Sequence, residues 1–180
     1  NEYFHHEIAK KIAKTHFDVG YSNESGVREL VDNAGALMGE IELDAERQIM
    51  NRFLAELIKA QPRATYGEMM IRKALEQGAV DTLLISESMR KNSVEIECGG
   101  CGHTWTASLS RTEEFPECPS CGVGNDSHKE LSNISLIDVL SEMSAKSNSE
   151  IAFISIDTEE GAQLAHGFGG LAAILRYPMM

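Results

Sequence analysis

Cys98, Cys101, Cys118 and Cys121 follow the pattern C-x2-C-x16-C-x2-C, and the chain has no other cysteine. Two residues between thiols let both sulfurs of one loop reach a single ion at about 2.3 Å. Gly102 and Gly122 follow the two pairs and permit the tight turn that closes each loop. Four thiolates leave no open position for water, so the pattern predicts a closed, structural site. Zinc fits it best, with iron in a similar four-thiolate site as the alternative. Residues 94–97 and 103–109 alternate apolar and polar side chains, which predicts a hairpin carrying Trp105. Such a module, at about 92–128, is too small to bury much of a core. Metal is therefore expected to supply folding energy on the order of 10 kcal/mol.

Thiols hold metal only where they stay reduced. The start, Asn1 to His6, is polar and carries no secretory signal, so a cytoplasmic setting is expected, with metal favoured over disulfides. No apolar run approaches the roughly 20 residues of a membrane span. The net charge is −12, from 28 acidic and 16 basic side chains. That argues against indiscriminate nucleic-acid binding while allowing a local basic patch or a basic protein partner. The chain does not begin with Met, which suggests a piece of something longer.

Residues 4–14 read as a short helix. Val27, Leu30, Val31, Ala34, Leu37 and Met38 share one helical face, which predicts a helix over 26–38. Ile49, Phe53, Leu57 and Ile58 predict a second over 44–60, stopped by Gln61-Pro62, where a domain boundary is expected. Thr65 and Glu68 match a capping box, opening a helix that runs to Gln77 and ends at Gly78. Residues 80–85 predict a strand buried on both faces. Beyond the cysteines come a helix from Ser135 to about Met143, a strand over 151–156, a helix over 157–166 and a strand over 171–177. Strands alternating with helices predict a mainly parallel sheet with right-handed crossovers, interrupted by the cysteine module.

Other motifs do not hold. The glycines at 167, 169 and 170 follow a helix and open a strand, the reverse of a dinucleotide-binding loop. His6-Glu7 lacks the second histidine of a zinc protease, since Lys10 stands there. His128 reads as a solvated loop residue rather than a ligand. Glu159 and Glu160 stabilise a helix start. No acid, base and nucleophile converge, and no catalytic residue is assigned.

His5-His6-Glu7, Phe17 to Tyr21, Gly26 to Val31, Tyr66-Gly67-Glu68, Gly78 to Glu87 and Phe168 to Tyr177 together resemble the class I peptide chain release factor of archaea and eukaryotes. The resemblance covers essentially the whole chain. It implies an α/β architecture: the end of a helical, α/β central domain over 1–62, then an α/β sandwich domain over 63–180. The cysteine pairs fall where archaeal members carry a zinc-bearing minidomain. The family implies translation termination on the ribosome, with stop-codon reading by one domain and peptidyl-tRNA hydrolysis promoted by a Gly-Gly-Gln loop in another. Neither that loop nor the decoding motif is present here, so this chain is not expected to be an enzyme.

The family's C-terminal domain binds a translation GTPase and contacts the ATP-binding-cassette recycling factor. In eukaryotic members a Gly-Ile-Leu-Arg-Tyr segment takes part in GTPase binding. Ala173-Ile174-Leu175-Arg176-Tyr177 is similar to it, with alanine at the first position. Ile174, Leu175, Arg176 and Tyr177 are thus the implied partner-binding residues. Arg176 and Tyr177 are the strongest, since both types are enriched at binding hot spots. A Pelota-type rescue factor shares the domain plan and is the nearest alternative. A zinc-ribbon RNA-binding protein is a more distant one.

Overall fold

The computed structural model describes residues 18–124 and 127–179. The helix expected over 4–14 lies outside them. Helix α1, Glu24–Leu57, is continuous, where the sequence predicts two helices. The interval between them offers only Gly39 as a breaker, and one interior glycine costs about 1 kcal/mol, too little to end a helix. No helix among the described residues is long and apolar enough to cross a membrane.

Two compact units divide the chain, Asn1–Asp44 and Ala45–Met180. In the first, the Asn23 side chain accepts from the amides of Ser25 and Gly26, at 3.1 and 3.4 Å, and opens α1. Gly26 is required there, because a Cβ would sit 1.7 Å from the Tyr21 carbonyl oxygen. Val27 and Val31 share a face as expected but are 60% and 63% exposed.

The second unit contains two sheets. Strands β1 (Ala64–Tyr66), β2 (Val80–Ser86), β6 (Glu150–Ile154) and β7 (Leu171–Leu175) form one, in the order β1-β7-β2-β6. Helices α2 (Glu68–Glu76), α3 (Leu136–Ser147) and α4 (Glu159–Gly167) connect them. Alternation along β7 sends Leu171, Ala173 and Leu175 to one face, with Ile71, Leu75, Leu136 and Leu140 of α2 and α3. Ala172 and Ile174 face the other way, with Met50 and Phe53 of α1 and Leu164 of α4. The end of α1 therefore belongs to this core, and the unit begins before the Gln61-Pro62 link.

The sheet is mixed, not mainly parallel. Only β2 and β6 run parallel, and β7 is antiparallel to both β1 and β2. Ser86 donates to the Gly170 carbonyl and Glu87 to that of Ile154, so β7 starts at the end of the sheet where β2 and β6 stop. Helix α4 does not carry the chain back before β7 begins.

The capping box at Thr65 and Glu68 is absent. Thr65 lies in β1 opposite Ala173, and the helix cap is Gly67 at φ 82. Glu68 instead pairs with Arg72 at 2.8 Å and accepts from Ser108 at 2.6 Å. It thereby ties α2 to the second sheet.

That second sheet is antiparallel, order β4-β3-β5, from β3 (Lys91–Cys98), β4 (Thr104–Ser110) and β5 (His128–Ser135). The hairpin around Trp105 is the one expected. Strand β5 is not foreseen, because its sequence HKELSNIS has no buried apolar alternation, and Leu131 and Ile134 are both exposed.

Glu56, almost buried at the end of α1, receives Lys59 at 2.6 Å and Arg63 at 3.2 and 3.3 Å. The Lys59 hydrogen bond, reinforced by Arg63 and opposed by burial, holds its carboxyl below the usual 4.5. A lowered folded value means this stabilisation is complete above the unfolded value and is lost as pH falls through the folded one. Glu56→Gln should lower the urea midpoint at neutral pH, and its gap to wild type should narrow once pH falls below the usual 4.5, measured by circular dichroism.

Candidate metal centre

The two cysteine loops are built alike. Cys98 donates its amide to the His103 carbonyl, and Gly102 donates back to Cys98. Cys118 and Val123, then Gly122 and Cys118, repeat the same bonds at 3.0 and 2.9 Å. Gly102 and Gly122 sit at φ 68 and 72, the left-handed region that a side chain would strain. Each loop thus turns its two sulfurs inward around one point.

The four sulfurs lie within 4.8 Å of one another and none is in a disulfide. Cys98 and Cys121 are 3.6 Å apart, Cys101 and Cys118 3.7 Å. Bonds of about 2.3 Å at tetrahedral angles would set sulfurs about 3.8 Å apart, so the set fits one four-coordinate ion. Cys98 and Cys118 are buried, and Cys101 and Cys121 reach the surface.

Protons cannot leave these thiols independently. Burial opposes ionisation of Cys118, but the amides of Cys121 and Ser120 and its sulfur neighbours bring it down to about 7. The Val123 amide favours the Cys121 thiolate, but Cys101, burial, Cys98 and Cys118 outweigh it and push that thiol up to about 12. A cation among the four sulfurs removes the repulsion that holds this last proton.

The insertion adds features the sequence did not expose. His128 lies in β5 opposite Cys98, not in a solvated loop. Its ring meets Trp105 edge-on at 5.1 Å, and both its nitrogens are buried without a hydrogen-bond partner. Gly99 donates to the Ser127 carbonyl at 3.0 Å, and a Cβ there would stand 2.2 Å from that oxygen. The Cys-Gly-Gly-Cys sequence was its only signal.

The closing segment is placed differently from residue to residue. Ile174 and Leu175 are core, at 0% and 3% exposure. Arg176 and Tyr177 are exposed but held. The Arg176 guanidinium donates to Gly78 at 3.0 Å, Ser147 at 3.3 Å and Asn148 at 2.5 Å, all backbone oxygens. These carbonyls stand at the ends of α2 and α3, where helices leave acceptors unsatisfied. Tyr177 donates to the Gln77 carbonyl at 3.0 Å. Arg176→Ala should cost about 1–2 kcal/mol, read as a lower urea midpoint.

Residues 43–179 match the family described as eRF1 domain 3. The chain belongs to that family. It is 41% identical over 187 residues to peptide chain release factor subunit 1-1 of Methanosarcina acetivorans, spanning 98% of this chain and 43% of that protein. The C-terminal domain of the Methanosarcina mazei peptide chain release factor has the same mixed α/β fold. It is 37% identical with a TM-score of 0.71, covering 88% of this chain and 98% of that domain. A model of ribosome-bound archaeal Pelota with ABCE1 shares the fold at 16% identity and a TM-score of 0.57, over 92% of this chain and 36% of Pelota.

Proposed function

We propose that this eRF1 domain 3 chain acts in translation termination as the C-terminal portion of an archaeal-type class I release factor. Residues up to Asp44 are the end of the central domain, and those from Ala45 onward form the partner-binding domain. The reading rests on one observation above others: identity to release factors near 40% runs across almost the entire chain. Pelota proteins share the fold at far lower identity, which favours release over rescue. These 180 residues carry no Gly-Gly-Gln loop, so they bind and position rather than catalyse. Their partners are the ribosome, a translation GTPase and the ATP-binding-cassette recycling factor, in the cytoplasm. The ribosome-bound Pelota and ABCE1 assembly is in keeping with the first and last of these.

Zinc held by Cys98, Cys101, Cys118 and Cys121 makes the insertion a zinc-ribbon minidomain. Its role is to hold shape, as a closed four-thiolate set requires. The GTPase contacts Arg176 and Tyr177, while Ile174 and Leu175 support them from the core. Both contact side chains are pre-set by backbone bonds, which reduces the ordering cost of association.

Isothermal titration of the chain with an archaeal translation GTPase tests this. Arg176→Ala and Tyr177→Ala should each weaken binding about tenfold or more, as truncated hot spots do. Unchanged affinity in variants that remain folded by circular dichroism would remove these residues from the interface.

A further inference from the structure

The chain is strongly acidic, yet one region of the second unit is basic. Arg90 ends the turn after β2, Lys91 opens β3 and Arg111 follows β4. Antiparallel pairing brings them together, since Lys91 lies opposite Ser110, and Asn92 opposite Ser135. They therefore gather at the end of the three-stranded sheet remote from the cysteines. Two cavities meet there, of about 610 and 220 Å3, sharing Met89, Arg90 and Lys91 as walls. Arg111, Asn92 and Ser135 line the larger, Ser88 and Ser110 the smaller. No carboxylate lines either one, in a chain where acids outnumber bases 28 to 16.

Direct pairing does not neutralise the cations. None of the three forms an ion pair among the described residues. Glu87 and Asp138 line neither cavity, while Glu113, held below its usual range by Ser110 and then by the Lys91 charge, lines with Glu130 an adjoining cavity that shares Asn92, Ser110 and Arg111. Arg90 is fixed rather than neutralised: one guanidinium nitrogen donates to the Glu87 and Met89 carbonyls at 2.7 and 2.8 Å. The anchor is firm because Met89 is buried against Gly170, where a Cβ would come within 2.8 Å of its methyl group.

We propose that Arg90, Lys91 and Arg111 form a binding groove for the phosphodiester backbone of RNA. An open groove walled by three cations with serine and asparagine side chains, and with no aromatic residue in either cavity, suits phosphates rather than bases. It reads no sequence and adds a salt-sensitive contact to an otherwise acidic domain. The choice of RNA over an acidic protein rests on the ribosomal reading above.

Titration of the 15N-labelled chain with short oligouridylate, followed by amide shifts at about 50 and 200 mM salt, tests it. Shifts should centre on residues 88–92, 110–112 and 135–137 and shrink steeply with salt. Lys91→Ala and Arg111→Ala should each lower the log–log salt slope by about 0.7, and Arg111→Lys should restore it. Absence of shifts, or shifts centred elsewhere, would overturn the proposal. Equal shifts with polyglutamate would assign the groove to an acidic protein instead. Inorganic phosphate binding as tightly as oligouridylate would make it a free-phosphate site. The titration contains neither ribosome nor GTPase, so its failure leaves the roles of Arg176 and Tyr177 intact.

Discussion

Stripping metal from the four-cysteine site should collapse the two loops at the tip of the three-stranded sheet and leave the four-stranded sheet folded. Structural zinc contributes on the order of 10 kcal/mol to a small module, more than most other single interactions in a domain. With no ion, the four sulfurs within 4.8 Å of one another have no common partner, and their crowding with burial pushes the Cys121 thiol up to about 12. The four-stranded sheet has its own core on both faces and does not depend on the site. Amide spectra recorded with and without chelator should lose dispersion around 98–105 and 118–123, while β2 and β7 keep theirs. Cys118→Ser should have the same effect in the presence of zinc, with metal content falling from one ion per chain to none. Dispersion in the loops that survives chelation would mean that metal does not hold them.

The second large effect concerns α1. Phe53 is fully buried and meets Phe168 edge-on at 5.2 Å, while Phe168 in turn meets Tyr66. Phe53→Ala should cost about 3–5 kcal/mol through lost burial and the cavity left behind. Val31→Ala, at a site 63% exposed on the same helix, should change stability by no more than about 0.5 kcal/mol. Urea unfolding of the two variants checks the contrast. A small loss at Phe53 would mean that the end of α1 does not belong to the domain core.

What is legible in the sequence follows from residues whose chemistry or period is unambiguous. The cysteine spacing locates the four sulfurs that the fold brings together. Continuous apolar runs locate β2 and β7, because strands buried on both faces leave few alternatives. Strand β5 is hidden because both its large apolar residues face solvent. Strand β1 is hidden because three residues carry no period, and Thr65 with Glu68 imitates a cap. The antiparallel course of β7 depends on which end of the sheet α4 returns to, and no local signal encodes that. In the closing segment, the sequence already favours Arg176 and Tyr177 over Ile174 and Leu175 as contact residues. The fold separates Ile174 and Leu175, which build the core, from Arg176 and Tyr177, which are left outside.

The central claim is that this chain is the partner-binding end of a release factor. Its most direct test is a chimaera in which the 180 residues replace the matching segment of the Methanosarcina acetivorans factor. Stop-codon-dependent peptide release on archaeal ribosomes, with and without the translation GTPase, is then measured. The chimaera should release peptide, respond to the GTPase as the parent does, and lose that response when Arg176 and Tyr177 are both alanine. A folded chimaera that releases peptide yet ignores the GTPase would contradict the claim.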